Sequence, residues 1–405
     1  MDKRKKRDFR VLNNESEYEK KLRRHRMRVG GIIFLLFVFL VIATVAVILI
    51  LKYRGYQHYE VIDEQKMEMI SEAQFYDYDG DILKVSKNGA ILIGTDGEKL
   101  FNVSYEMNDP IVDICGSYIA VAGSKASDVY ILNASGLKGH IVLTRKIRAI
   151  EVASQGTVAV LTEDNGTYYI NLYDTEGNEL VEGAMHLTNT GYPLTMDLSY
   201  DSKILAVSIV DISTGRVRTT LNFYNFGSVG QNEIDNKVSS YTYEDTVIPR
   251  VVFFENGHAV AVGDNKVIFY KGNEVPEEDT CLELATVIRA IAYNKEYLAL
   301  ICEPKKEELE EGNVSEDSHV LCVYNSGARE IYREIFADVI EDVTFLKNND
   351  IFIDRGGRGL IYSINGTKKF EGDFAESVIA LASGKATNEY YILYRNRIQR
   401  VRLKR

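Results

Sequence analysis

A strand pattern that recurs at near-regular intervals most constrains how this 405-residue chain can fold. Beyond residue 75, apolar and polar residues alternate, and Gly, Asn and Asp interrupt the alternation every 8–12 residues. This pattern is typical of short strands in an all-β protein. Three kinds of strand then recur in a fixed order. The first kind starts at Ile111, Ile147, Leu194, Ile248, Ile288 and Ile340, with another start near Val378.

The second kind of strand carries a repeated Ala, and the third ends in an Asn/Asp-Gly type of turn. The repeated alanines are Ala120, Ala159, Ala206, Ala261 and Ala299. The mean spacing between the starts of successive units is close to 44 residues. A four-stranded propeller blade takes about 40–45 residues. The sequence therefore predicts a β-propeller of four-stranded blades.

The strands outside the six complete units decide the number of blades. Three strands are predicted before residue 111 and three after residue 374, which is more than one blade can hold. We therefore predict eight blades, with seven as the alternative if one of these segments is a loop. The two ends of the chain should meet in the ring, because closure removes exposed sheet edges.

Residues 31–51 form an uninterrupted apolar segment without a charged residue. Twenty-one helical residues span about 31 Å, close to the thickness of a bilayer core. A signal peptide is the competing interpretation, but its apolar stretch is normally about 7–15 residues. The apolar run also continues past Ala46, so we predict an uncleaved transmembrane helix.

Flanking charge predicts the orientation of this helix. The first 30 residues carry twelve Lys/Arg, whereas only Lys52 and Arg54 follow the apolar segment closely. Positive-inside bias then keeps the N-terminus in the cytoplasm and exports the rest. We predict a basic cytoplasmic tail over 1–30, a membrane helix over 31–51, a stalk over 52–75 and an extracellular propeller over 76–405. The body from Gly55 onward has 34 basic and 54 acidic residues, which argues against nucleic-acid binding.

Several segments resemble the domain-of-unknown-function family 5711 of Gram-positive bacteria. They are residues 119–122, 154–161, 198–208, 222–231 and 241–254. Members share the layout of a basic N-terminus, one membrane helix and a propeller-like body. The resemblance implies a surface-anchored, non-enzymatic protein. It implies no catalytic residue, because none is assigned in the family. The period also resembles WD40-like and quinoprotein-like propellers, but without any Trp the chain lacks their WD dipeptides and docking motifs, which argues against a quinone cofactor.

No local motif for catalysis, cofactor binding or metal binding stands out. The six His are scattered, and HExxH, CxxC, Walker and GxSxG motifs are absent. Asp77, Asp79 and Asp81 resemble the start of a calcium loop, but Asn88 occupies the position that requires Glu. We therefore predict no cofactor and no metal site. Cys302 and Cys322 fall on adjacent strands and could be a disulfide or two buried thiols, of which we favour thiols.

The sequence favours a binding or assembly module in the cell envelope, with a protein or cell-wall partner. We expect the partner to contact the loops 183–192 and 226–250, with Tyr192, Tyr243, Glu244, Asp245 and Arg250 as candidates. The acidic loop 303–319 is most simply a solvated loop, and binding of a basic partner is the alternative.

A surface hydrolase or lyase is the competing function, because propellers can assemble carboxylates from several blades without a local motif. Asp113, Glu151, Asp197 and Asp342 lie on the strands expected nearest the axis. Convergence of two of them with raised pKa values would favour this alternative over solvated channel positions.

Overall fold

The computed structural model describes residues 15–53, 55–66, 73–94, 97–186, 191–213, 215–305, 307, 309, 315 and 318–404. The chain divides into two compact units, residues 1–54 and residues 55–405. Parts of four predicted segments lie outside the described residues: the basic tail up to residue 14, stalk residues 54 and 67–72, the loop residues 187–190, and much of the acidic loop after residue 305.

The first unit contains helix α1 (Glu15–Tyr53). Within the described residues, α1 is the helix that is long and apolar enough to cross a membrane, and the qualifying stretch is Leu22–Thr44. Its described apolar side chains are largely exposed; Phe39, for example, is 70% exposed. A helix of this kind is compatible with a single-pass anchor or with a signal peptide.

The second unit is a β-propeller of eight four-stranded antiparallel sheets, so the predicted fold with eight blades is confirmed. We name the strands of each blade A to D in the order of the sheet.

The first four blades use strands β2 to β17. Blade 1 has β2 (Ala73–Tyr78), β3 (Asp81–Ser86), β4 (Gly89–Ile93) and β5 (Lys99–Ser104). Blade 2 has β6 (Pro110–Cys115), β7 (Tyr118–Gly123), β8 (Asp128–Asn133) and β9 (Gly136–Val142). Blade 3 has β10 (Lys146–Val152), β11 (Val158–Asp164), β12 (Thr167–Tyr173) and β13 (Glu179–His186). Blade 4 has β14 (Tyr192–Leu198), β15 (Ile204–Asp211), β16 (Arg218–Asn225) and β17 (Lys237–Glu244), with two 3-10 turns, Gly230–Asn232 and Ile234–Asn236, before β17.

The other four blades use strands β18 to β32 together with β1. Blade 5 has β18 (Arg250–Phe253), β19 (Ala259–Val262), β20 (Lys266–Lys271) and β21 (Glu277–Glu283). Blade 6 has β22 (Ile288–Tyr293), β23 (Tyr297–Cys302), β24 (His319–Asn325) and β25 (Glu330–Phe336). Blade 7 has β26 (Asp342–Phe345), β27 (Ile351–Asp354), β28 (Arg358–Tyr362) and β29 (Lys368–Asp373). Blade 8 has β30 (Ala380–Ser383), β31 (Glu389–Leu393), β32 (Arg397–Lys404) and β1 (His58–Lys66).

The ring closes through blade 8, in which the N-terminal strand β1 pairs with the C-terminal strand β32. Register runs from His58 opposite Lys404 to Lys66 opposite Arg397. The meeting of the chain ends therefore agrees with the prediction. The structure differs from the predicted stalk over 52–75, because β1 lies within that segment. Most residues of β1 are exposed, so its sequence lacks the alternation that marks the other strands.

The core consists of side chains packed between neighbouring blades rather than a single central cluster. Between blades 4 and 5, for example, Ala206 and Phe223 pack with Ala261, Ile268 and Tyr270. The small side chain of Ala206 lets the two sheets approach. Ala120, Ala159 and Ala299 likewise face the next blade, whereas Ala261 faces the preceding blade. The predicted equivalence of the five alanines therefore does not extend to the direction of Ala261.

The four cysteines, all among the described residues, are thiols that form no disulfide. Cys302 lies opposite Val320, and Cys322 lies opposite Leu300, so the two cysteines are diagonal rather than paired. Both are buried, and Cys322 Sγ accepts a hydrogen bond from Arg333 at 2.9 Å. The favoured prediction of thiols agrees with this geometry.

Candidate functional site

The two ends of the propeller differ in which connections they carry. The A–B end carries the turns between strands A and B, and the D–A end carries the connections from one blade to the next. First strands of neighbouring blades contact one another, as β6 does with β10 and β14 with β18. The A strands therefore surround the axis, and their turns surround the opening at the A–B end.

A cavity of about 1120 Å³ occupies this opening. Blades 1 to 7 all contribute to its wall, mostly through the A–B turns. Aromatic side chains in the wall include Tyr78, Tyr200, Tyr293 and Phe345. Turn residues with hydrogen-bonding side chains, such as Gln155 and Asn256, also line the rim.

Charged residues at the rim are largely paired with one another. Lys347 of blade 7 contacts Asp79 of blade 1, with 2.9 Å between Nζ and Oδ1. Lys295 contacts Glu255 at 3.1 Å, and Lys203 contacts Asp201 at 3.0 Å. The Lys347–Asp79 pair joins blades 7 and 1, which flank blade 8. No described residue of blade 8 lines the cavity.

Three carboxyl groups converge on the channel inside the ring. Asp113, Glu151 and Asp197 occupy the A strands of blades 2, 3 and 4. Burial raises the pKa of all three carboxyl groups, and their mutual repulsion adds to the shift for Glu151 and Asp197. A hydrogen bond between the two carboxyl groups lowers the pKa of Asp113 and raises that of Glu151.

Two of these carboxylates also connect neighbouring blades. Asp113 Oδ2 accepts a hydrogen bond from the backbone N–H of Val152 at 2.6 Å, joining blade 2 to blade 3. Asp197 Oδ2 accepts one from the N–H of Phe253 at 2.5 Å, joining blade 4 to blade 5. An A strand is the edge of its sheet, so its outward N–H groups need partners from outside that sheet. Both carboxylates therefore have a structural role at the inner edge of the ring.

Arg250 is the cation that faces this cluster. Its charge lowers the pKa of Asp113, Glu151 and Asp197, against the effect of burial. Its guanidinium carbon lies 5.8 Å from the centroid of the Tyr293 ring. Asp342, the fourth predicted carboxylate, is exposed. The charge that acts on its pKa is that of Asp354 and not that of the cluster. Three of the four predicted carboxylates therefore lie together, and Asp342 does not.

The five predicted contact residues do not form a single patch. Tyr192 begins β14 and is 50% exposed at the D–A end, where Glu244 and Asp245 also lie exposed. The Tyr243 hydroxyl is bonded to the Tyr270 hydroxyl at 2.5 Å and to Glu278 at 2.6 Å, so it closes the side of blades 4 and 5. Arg250 is exposed at the start of β18 and acts on the channel carboxylates. Their role in partner binding stays a prediction.

Sequence reasoning missed the aromatic residues of the cavity wall. Tyr293 is 44% exposed at the end of β22, directly before an A–B turn. Tyr200 occupies the corresponding turn of blade 4. The sequence does show an aromatic residue at these A–B turns. Whether its side chain faces the cavity depends on the register of the strands, which the sequence does not give.

In the described part of the chain, no group of three His, Cys, Asp or Glu side chains is placed to hold a metal ion. Asp77 is instead part of a turn, since its Oδ1 accepts a hydrogen bond from the N–H of Gly80 at 2.8 Å. Burial raises the pKa of the Asp77 carboxyl.

The chain is similar to solved structures of low sequence identity. The WD40 domain of Neurospora crassa Pan2 is 9% identical, with 87% of this chain and 98% of that chain covered and a TM-score of 0.45. Hydrazine synthase of Kuenenia stuttgartiensis is 12% identical, with 74% and 97% covered and a TM-score of 0.44. A comparison with curated proteins gave no match.

A family model matches most of the chain. The model described as a family of unknown function, DUF5711, matches residues 52–403. This range includes strands of all eight blades and ends one residue before the end of β32. The chain belongs to the family of unknown function DUF5711.

Proposed function

We propose that this protein is a single-pass, membrane-anchored binding module, whose partner is a protein segment or cell-wall component at the cell envelope. The observation that carries the proposal is the preformed cavity of about 1120 Å³ at the A–B end. Pockets for small molecules are usually about 300–1,000 Å³, so this one has room for a larger segment.

The chemistry of the cavity wall supports a contact of mixed character. Tyrosine provides a large contact surface and a hydroxyl for little loss of side-chain entropy, and it is enriched among residues that dominate binding energy. The exposed ring of Tyr293 is available for such a contact. Because the rim charges are mostly paired, a strongly charged partner would have to displace existing ion pairs.

The charge distribution around α1 supports the proposed location. Twelve Lys/Arg in the first 30 residues favour a cytoplasmic N-terminus and an extracellular propeller. A binding module fixed to the outer surface of the membrane would then meet envelope proteins and cell-wall polymers. The acidic body accords with a partner other than nucleic acid.

Two exposed tyrosines at opposite ends of the ring provide a matched test. The full-length protein carrying Tyr293→Ala or Tyr192→Ala would be compared with wild type by crosslinking in intact cells and quantitative mass spectrometry. We expect Tyr293→Ala to remove the reproducible partners and Tyr192→Ala to retain them. The opposite result would place the contact at the D–A end, and loss in neither variant would refute a tyrosine-centred contact at either end.

A hydrolase or lyase is the second candidate, favoured by the convergence of Asp113, Glu151 and Asp197 with raised pKa values. The backbone hydrogen bonds of Asp113 and Asp197 explain two of these groups structurally, which favours binding over catalysis. Wild type and Glu151→Gln would be assayed on cell-wall glycans and peptides. Turnover that disappears in Glu151→Gln, with unchanged thermal stability, would establish the enzyme instead.

A further inference from the structure

A second cavity lies on the side of the ring, between blades 2 and 3. This lateral groove has a volume of about 330 Å³. Side chains of both blades and of the connection between them line it, including Arg145, Thr162, Asn171, Tyr173, Glu179 and Glu182. None of its residues belongs to the cavity at the A–B end.

Thr162 is an unsatisfied polar residue in the wall of this groove. Its side chain is 1% exposed, and its Oγ1 has no hydrogen-bond partner within the described residues. A buried hydroxyl without a partner costs about 1–3 kcal/mol relative to a satisfied one. A ligand that hydrogen-bonds to Oγ1 would remove this cost.

Asn171 provides a second polar group in an interior position. It lies on β12 opposite Val160, and its residue is 2% exposed. An amide can donate and accept hydrogen bonds at the same time. Together, the Thr162 hydroxyl and the Asn171 amide offer one ligand both hydrogen-bond donors and hydrogen-bond acceptors.

The charged side chains of the groove already have partners. The Arg145 guanidinium lies 2.9 Å from Glu182 and 3.7 Å from the centroid of the Tyr169 ring. Glu179 accepts a long hydrogen bond from the Tyr173 hydroxyl, at 3.4 Å. A charged ligand would have to compete with these pairs, whereas a neutral ligand with several hydroxyl groups can add to them.

The propeller fold itself does not require polar residues at these positions. In blade 5, Ile268 lies opposite Ala261, as Asn171 lies opposite Val160 in blade 3. Ile268 is buried in an apolar cluster with residues of blade 4. Asn222 of blade 4 is also an amide at this position, opposite Val207, but its Oδ1 accepts a hydrogen bond from Ser240 at 2.7 Å.

We propose that the lateral groove binds a neutral, polyhydroxylated ligand of the size of a mono- or disaccharide. Its volume is at the small end of the usual range for ligand pockets. The hydroxyl groups of such a ligand complement Thr162 Oγ1 and the Asn171 amide. The ligand would bind in addition to the partner at the A–B end.

Matched sugars and one nearly isosteric substitution test this inference. The full-length protein in detergent would be titrated by calorimetry with glucose, N-acetylglucosamine and the β-1,4-linked dimer of the latter. Glucosamine and glucuronic acid provide cationic and anionic counterparts. Thr162→Val removes the hydroxyl with little change of shape, and Thr220→Val, on an exposed part of blade 4, is its control.

We expect at least one neutral sugar to bind and to bind more tightly than the charged sugars. Thr162→Val should weaken this binding about tenfold, which corresponds to about 1.4 kcal/mol, without lowering the melting temperature. Thr220→Val should leave binding unchanged. The inference is overturned if no neutral sugar binds at 10 mM (about 2.7 kcal/mol of binding free energy at 1 M standard state), if charged sugars bind equally well, or if Thr162→Val binds like wild type. None of these results bears on the A–B cavity, which shares no residue with the groove.

Discussion

The interfaces between blades 2 and 3 and between blades 4 and 5 are built alike at the channel and differently at the outside. At the channel, Asp113 and Asp197 occupy equivalent positions, opposite Ala120 and Ala206. Each accepts a backbone N–H from the A strand of the following blade. The same contact therefore fixes the spacing of the inner strands at both interfaces.

At the outside, large aromatic residues fill the interface between blades 4 and 5. The rings of Phe223 and Tyr241 lie 5.0 and 5.3 Å from that of Tyr270, measured between centroids. Blade 2 has Ile131 and Ile141 at the positions of Phe223 and Tyr241. The smaller side chains leave the lateral groove. The difference indicates that the inner contacts maintain the ring, whereas the outer positions vary between interfaces and leave the lateral groove between blades 2 and 3.

Truncation of the central aromatic residue should have the largest effect on this comparison. Phe223→Ala removes a fully buried ring between blades 4 and 5. We expect it to lower the free energy of unfolding by about 3–5 kcal/mol. Urea denaturation measures this change. Val142→Ala, at a side chain that is 67% exposed beside the lateral groove, is the control and should stay within about 0.5 kcal/mol.

Ile268 of blade 5 and Asn171 of blade 3 occupy equivalent positions. Exchanging their residue types tests whether a polar residue is tolerated beside the groove but not in the apolar interface. Ile268→Asn should destabilise by about 3 kcal/mol, because it loses apolar burial and places an amide in an apolar cluster. Asn171→Ile should change stability by no more than about 1 kcal/mol, since it places an apolar group beside a groove. Equal losses in the two variants, measured by urea denaturation, would contradict the distinction between the interfaces.

Enlarging the equivalent alanines tests the similarity of the inner halves. Ala120 and Ala206 are completely buried, and each faces the next blade. Leu at either position should destabilise by about 1–3 kcal/mol through overpacking. We expect similar changes in melting temperature for Ala120→Leu and Ala206→Leu. An unchanged melting temperature in only one of them would show that the inner halves differ.

The pH dependence of stability should be the smallest effect and should involve both interfaces. Burial raises the folded-state pKa of Asp113 and Asp197 above the ordinary aspartate value. The folded protein therefore binds more protons than the unfolded chain, and their contribution, complete below the ordinary pKa, is lost as pH rises through the raised pKa. Replacing both by Asn, which keeps an acceptor for the backbone N–H, should reduce this loss. Urea denaturation between pH 4 and 8 would measure it, and an identical slope in wild type and variant would contradict the assignment.

The repeated strands predicted the fold because a blade is a local unit. Its four strands follow one another in sequence, and alternation marks their buried residues. Counting strands at both ends then predicted eight blades. Strand β1 could not be recognised in this way, because its exposed residues have the composition of a polar stalk and its partner β32 lies at the other end of the chain.

The candidate sites were less predictable because they depend on contacts between blades. Asp113, Glu151 and Asp197 could be placed on inner strands, but their convergence and their backbone partners depend on the registers of three sheets. Thr162 and Asn171 look like ordinary polar strand residues in sequence. Only the direction of their side chains, toward blade 2, places them in a groove.

A photoreactive residue placed at each end of the propeller would test the proposed binding function most directly. The full-length protein would carry a photoreactive amino acid at position 293 in one variant and at position 192 in another. After illumination of intact cells, we predict a specific partner crosslinked from position 293 and absent from position 192. Crosslinking of the partner only from position 192, or from neither position, would contradict binding at the A–B cavity.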